Sequence, residues 1–216
     1  MVAKVSSTGG LQWTKELGTA VDDEVVDILE TSDGGYMVLA HTYKAVGQVA
    51  FKTLLFKLDA SASLLWNFHS NQDSGSDFPA RLLELASGDF LIAGSGRSTY
   101  GGGDRPFLIK VDSSGNLLWA TAYDISPLGA QALVYDAVED PATGDIYFTG
   151  TALTVGTLFV RTNTNGNLIL VEYLSGGFLE YSWTMAPSIT SGAFIIAGST
   201  NSPSQGSGDL LIIEID

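Results

Sequence analysis

The chain contains no cysteine, which excludes disulfides, thiolate metal centres and cysteine nucleophiles. Cations are scarce: ten Lys and Arg stand against 24 Asp and Glu, for a formal net charge of −14. Nucleic acid and anionic membranes both need clustered Lys and Arg, so neither is an expected partner. The two histidines, His41 and His69, sit in no recognisable nucleophile–base pattern. No apolar run approaches the roughly 18 residues of a membrane helix, and no segment sustains a helical apolar period. The opening "MVAKVSSTGG" lacks the apolar stretch of a secretory signal. The expected setting is a segment of a larger secreted or cell-surface protein, with a cytosolic chain as the alternative.

What the chain has is repetition. The stretches "SSTGGLQW" (6–13), "DASASLLW" (59–66), "DSSGNLLW" (112–119) and "NTNGNLIL" (163–170) share one pattern, a polar turn followed by an apolar strand. Trp13, Trp66 and Trp119 fall 53 residues apart, and Leu170 follows 51 later. Gly35, Gly88, Gly144 and Gly192 open a second recurring run, "GYMVLAH", "GDFLIAG", "GDIYFTG" and "GAFIIAG". A third run, "TLLFKLD", "PFLIKVD", "TLFVRTN" and "LLIIEID", carries Lys57, Lys110 and Arg161, with Glu214 in the last copy. Fixed spacing of this kind marks a repeat architecture.

Each repeat reads as four short antiparallel strands, in the second copy near 78–85, 89–95, 106–111 and 117–122. The second and third are nearly continuous in apolar residues, which requires burial on both faces and hence sheets stacked on one another. The predicted fold is therefore all-β. It is a β-propeller of four ~53-residue repeats, either four-bladed or half of an eight-bladed dimer. The domain spans 1–216, with N-terminal closing strands in 1–17 and repeats near 18–66, 67–119, 120–170 and 171–216. Pro79 and Pro187 fall in first strands, which as inner edges tolerate a missing donor. In the turn before each Trp, Gly9, Gly115 and Gly166 supply a positive φ, whereas Ala62 predicts a strained or altered turn. Trp13, Trp66 and Trp119 are expected to dock each blade on the next.

"KLDASASLLW" and "KVDSSGNLLW", with "DGGYMVLA" upstream, resemble the repeats of bacterial and archaeal propellers of the pyrroloquinoline-quinone-like superfamily. The resemblance covers all four repeats through structural residues. No set of quinone- or calcium-binding residues carries over, and a non-catalytic surface or scaffold protein is what the resemblance implies. The expectation is accordingly no cofactor.

The chain opens with a match to third and fourth strands and closes on a third strand. The last blade then needs an outer strand, which the segment Leu11–Leu17 can supply by exchange within one chain or between two. Monomer and head-to-tail homodimer both satisfy this. The long second-to-third and blade-to-blade loops all fall at one end, where binding is expected. Its polar and aromatic members are Tyr43, His69, Asp73, Asp77, Arg97, Tyr100, Asp104, Arg105 and Tyr123. Within "DSGSD", Asp73 and Asp77 are candidate cation ligands, though the remaining acidic ligands of a calcium loop are missing. "GRSTYGGGD" lacks the Lys-Ser/Thr of a phosphate cradle. "DDEVVD" (Asp22, Asp23, Glu24, Asp27) reads as a solvated acidic rim. The function expected is an interaction or structural scaffold that binds a protein or glycan at the long-loop end. The alternatives are a carbohydrate-active or quinone-dependent enzyme and a sugar-binding lectin at that same end.

Overall fold

The computed structural model describes residues 1–43, 51–70, 75–97, 104–125, 131–174, 180–188, 192–201 and 208–215. Three complete units follow one another, each a four-stranded antiparallel sheet in sequence order. The first holds β3 (Asp23–Glu30), β4 (Tyr36–Tyr43), β5 (Phe51–Leu58) and β6 (Leu64–His69). The second holds β7 (Asp77–Glu84), β8 (Phe90–Arg97), β9 (Asp104–Val111) and β10 (Leu117–Ala122). β11 (Ala132–Glu139), β12 (Ile146–Ala152), β13 (Gly156–Thr162) and β14 (Leu168–Leu174) make the third. A fourth unit has three strands, β15 (Glu180–Pro187), β16 (Phe194–Thr200) and β17 (Asp209–Ile215). At the other end, β1 (Val2–Val5) and β2 (Leu11–Lys15) form a two-stranded hairpin.

The strands fall where the repeat places them. Second and third strands of the three complete units are almost wholly buried, as their continuous apolar sequence requires, while fourth strands alternate between exposed and half-buried. The first strand of each later unit packs across strands one to three of the unit before it. Every first strand carries a β-bulge at one register position, at Val26, Ala80, Tyr135 and Trp183. Such an extra residue increases local twist and bends the strand. Pro79 sits immediately before its bulge, and Pro187 ends its strand.

The core is divided by seams between units. Met37, Leu39 and Leu55 of the first unit meet Leu82, Phe90 and Ile92 of the second. Leu91 and Leu108 of the second meet Val134, Ala137 and Phe148 of the third, and Tyr147 and Phe159 of the third meet Met185 and Ile196 of the last. The three tryptophans occupy equivalent places. Trp13 lies 5.2 Å from Tyr36 and Trp66 lies 6.2 Å from Phe90, ring to ring, while Trp119 packs on the cluster that holds Ile146. Each ring also covers the next unit's turn. The Trp66 indole N–H donates to the Ser113 carbonyl at 3.0 Å. A Cβ on Gly115 or Gly166 would stand 2.7 Å from Trp66 or Trp119. These turns therefore need glycine twice, for φ of +85° and +75° and for the space under the ring.

Ala62 keeps the same turn at φ +64°. Its hydrogen bonds, Asp59 N–H to the Ser63 carbonyl and Ala62 N–H to the Asp59 carbonyl, match those at 112–116. The turn is strained but unaltered.

One alignment needs correction. The counterpart of Gly88, Gly144 and Gly192 is Gly34, which shares their positive φ, and not Gly35, where the recurring run is read as opening. His41, set by that run against the last glycine of the other copies, accordingly stands level with Ser95, Thr151 and Ser199. β2 pairs with β1, and the described pairings include none between β2 and β17. β1 and β2 are joined by one tight turn, and together they cover the outer face of the first unit through Val2, Trp13 and Leu17.

Candidate functional site

The long-loop end is assembled from strand termini. Tyr43, Arg97 and His69 end β4, β8 and β6, while Asp77 and Asp104 begin β7 and β9. Antiparallel order brings all of them to one edge of the stack, with Arg105 beside Asp104. Asp73 and Tyr100, and most of "GRSTYGGGD", lie outside the described residues. A cleft of about 220 Å³ opens here in the second unit. Asp77, Gly96, Arg97 and Arg105 line it on the polar side; Phe107, Leu108, Ile109 and Ala120–Ala122 supply the apolar floor.

The charges around this cleft are paired loosely. Arg97 Nε stands 3.4 Å from Asp104 Oδ1, and Arg105 Nη1 stands 3.6 Å from Asp124 Oδ2. Arg105 and Asp124 are both substantially exposed, so that pair adds little stability, whereas Arg97 is exposed but its partner Asp104 is buried. A ligand group can exchange for Asp124 at Arg105 without dismantling the fold. Asp77 is different. It is buried, and its Oδ2 accepts from the Ser70 hydroxyl at 2.5 Å. Ser70 in turn receives the Thr53 N–H at 3.1 Å, so Asp77 ties the unit-to-unit connection to β5.

Tyr43 belongs to an aromatic group next to the cleft. Its ring lies 4.6 Å from Phe51, and Phe51 lies 4.9 Å from His41 and 5.3 Å from Phe78 of the next unit. His69 is exposed at the same end. Tyr123 is not a surface residue. Its ring is buried 5.6 Å from Phe148, and its hydroxyl donates to the Gly166 carbonyl at 2.8 Å. Burial pushes its ionisation far above the usual tyrosine range. It joins the second unit to the third.

The acidic stretch disperses rather than converging. Asp23 accepts from the Thr19 N–H and hydroxyl; Glu24 pairs with His41 at 3.3 Å. Asp27 accepts the Leu82 N–H at 3.0 Å and faces Arg81 at 3.5 Å. Among the described residues no three His, Asp or Glu side chains gather to hold a metal ion.

Sequence reasoning missed a line of polar groups along the first strands. The residue after each bulge is Asp27, Arg81, Asp136 or Thr184, in unit order. Arg81 Nε stands 3.2 Å from Asp136 Oδ1, and the Thr184 hydroxyl and Met185 N–H both donate to Asp136 Oδ2 at 2.8 Å. All four are polar, but their shared register position follows only once the bulges are placed. Trp183, which breaks the 53-residue series, was missed as well. It is half-exposed, 5.7 Å from Tyr181 in a stacked pair and 4.9 Å from Tyr135.

No protein-family model matches this chain. No curated protein matches it either. Among solved structures, the chain is similar to a protein of unknown function from Bacteroides caccae. The TM-score is 0.58 and the identity 12%, and the match covers 98% of this chain and 69% of that one. At that identity the likeness is one of fold: an all-β chain of antiparallel, mostly four-stranded sheets in repeat-like series.

Proposed function

We propose that the stacked units are blades of a β-propeller of the quinoprotein-like kind. In this reading the chain is a non-catalytic scaffold that binds a protein or glycan partner at its long-loop end. The observation that supports it best is the cleft beside Arg97 and Arg105. It combines an apolar floor made by rigid strands with two solvent-reaching guanidinium groups, of which Arg105 has an exposed, exchangeable partner in Asp124. Sites of this form, mostly apolar with a few placed polar groups, are the usual shape of recognition surfaces.

The test is site-specific photo-crosslinking from each end of the stack. Probes replacing Tyr43 or Arg105 should capture a partner, whereas probes at Ser87 or Ser114, in the opposite turns, should not. With the partner in hand, Arg97→Ala with Arg105→Ala should weaken binding by tenfold or more, roughly 1.4 kcal/mol. Crosslinks confined to the Ser87 and Ser114 probes would overturn the location. A stoichiometric organic chromophore in the purified chain would overturn the non-catalytic reading.

A further inference from the structure

Each seam inside the molecule joins a forward face of one unit to a backward face of the next, and among the described residues one face of each kind is left uncovered, on β15–β17 and on β3. On the forward side, Ile195, Ile212 and Leu210 hold the register positions of Met37, Leu55 and Thr53 in the first unit. In the third unit the same positions are Tyr147, Phe159 and Thr157. All those counterparts are buried against a following unit, whereas Ile195, Ile212 and Leu210 are 40%, 65% and 76% exposed. Trp183, half-exposed, borders this face and donates its indole N–H to Ser199 on it. On the backward side, Val25 and Ile28 are 47% and 45% exposed. Their counterparts Pro79 and Leu82, Val134 and Ala137, and Ser182 and Met185 are buried. The N-terminal hairpin covers β4 and β5 of the first unit but reaches neither Val25 nor Ile28.

We propose that a second copy of this chain fills this vacancy, joining head to tail so that β3 of one copy covers the β15–β17 face of the other. The occupant follows from the internal seams. In each, the residue at the Ile28 position of one unit shares a core cluster with the residue at the Ile212 position of the unit before. The pairs are Leu82 with Leu55, Ala137 with Leu108, and Met185 with Phe159. The surface a β15–β17 face is built to meet is thus a β3-type face, and the chain itself carries one at its far end. Both faces are exposed in the described residues. Contiguous apolar surface with an aromatic at its border is the usual mark of an association site. A head-to-tail contact of this kind closes into a ring when the rotation permits. In the single chain β1 and β2 lie against β4 and β5; in the proposed contact β17 of the other copy takes the place of β1, and β2 stays as the outer strand. The proposal rests on the seams alone and is independent of the long-loop end as a binding face.

The absence of cysteine makes the test direct. Light scattering should give twice the 22.8 kDa chain mass at micromolar concentration. Leu210→Asp with Ile212→Asp, and separately Val25→Asp with Ile28→Asp, should each reduce the assembly to monomers. An equimolar mixture of the two double variants keeps one intact seam and should recover a dimer. Chains bearing Ile28→Cys and chains bearing Ile212→Cys should form a disulfide when mixed and little when oxidised alone. A wild-type chain that stays monomeric at 100 micromolar, roughly the upper end of in-vitro working concentrations, would overturn the proposal. So would an intramolecular disulfide in the chain carrying both cysteines, since that means the chain closes on itself. Dimerisation that survives in the Val25→Asp, Ile28→Asp variant would also overturn it, by showing a face-to-face contact.

Discussion

The first and second units meet the same two structural demands with different residues. In the second unit the turn before the Trp uses Gly115, and the third-strand cation Lys110 reaches Asp89 at 2.9 Å. The first unit places Ala62 at the equivalent left-handed position. Its cation, Lys57, bypasses Gly35 to reach Asp33 at 2.7 Å and Thr31 at 2.5 Å. Gly35 occupies the place of Asp89 because there is no room for more. A Cβ there would stand 2.3 Å from the Leu58 carbonyl and 2.8 Å from Lys57 Nζ. The difference teaches that the repeat preserves contacts rather than residues. A cation bridge from third strand to first turn persists in three units, completed by Arg161 with Asp145 at 2.6 Å, though the acidic partner shifts by two positions in one of them. In the last unit Glu214 replaces the cation, and its carboxylate accepts from the Ser188 hydroxyl at 3.3 Å instead.

The comparison breaks most sharply at Gly115. Gly115→Ala must adopt positive φ and displace the Trp66 ring, which together should lower stability by about 3 kcal/mol. Urea titration would measure this, and a loss below ~1 kcal/mol would mean the ring is free to move. The next largest effect is expected at Lys57, which is nearly fully buried. Lys57→Met removes the bonds to Thr31 and Asp33 and should cost about 1–2 kcal/mol. Lys110→Met, which removes one ion pair from a less deeply buried ammonium where Lys57 makes two bonds, should cost less.

The Lys57 bridge also has a pH signature. Hydrogen bonds from Lys57, from the Thr31 hydroxyl and from the Gly35 N–H hold the Asp33 carboxyl well below its ordinary value of 3.8. A depressed folded pKa contributes stability that is complete above the unfolded value and fades as pH falls below it. Acid should therefore weaken the chain progressively below roughly pH 4, and in Lys57→Met that slope should flatten. An unchanged slope would show that the carboxyl is set by its other two donors. The smallest effect is a gain: Ala62→Gly relieves the strained φ and should stabilise by about 0.5–1 kcal/mol after the added freedom of the unfolded chain.

Much of the architecture was legible because it is written in residues with few alternatives. Trp at 53-residue spacing, glycine in the turns and doubly apolar second and third strands each have one reading. The register slipped by one at Gly34–Gly35, where two adjacent glycines offered the same φ and only the hydrogen bond from Gly34 N–H to the Thr31 carbonyl separates them. The candidate site was half legible. Strand order brought Tyr43, Asp77, Arg97, Asp104 and Arg105 to one end, since that depends only on antiparallel topology. Whether a side chain there turns outward does not, and Tyr123 turns in, toward a carbonyl 43 residues away in sequence. The Asp27–Arg81–Asp136 line needed the position of the bulges, which no residue type announces. Trp183 was hidden by sharing its bulge position with Val, Ala and Tyr.

The tryptophan stitching has a direction, and direction has a consequence during synthesis. Trp66 finds its acceptor, the Ser113 carbonyl, 47 residues later in the chain. A ribosome adding roughly 5–20 residues per second therefore leaves that indole without its socket for about 2–10 s. Each unit emerges with its closing ring still waiting for the one behind it, so the nascent chain matures one unit in arrears.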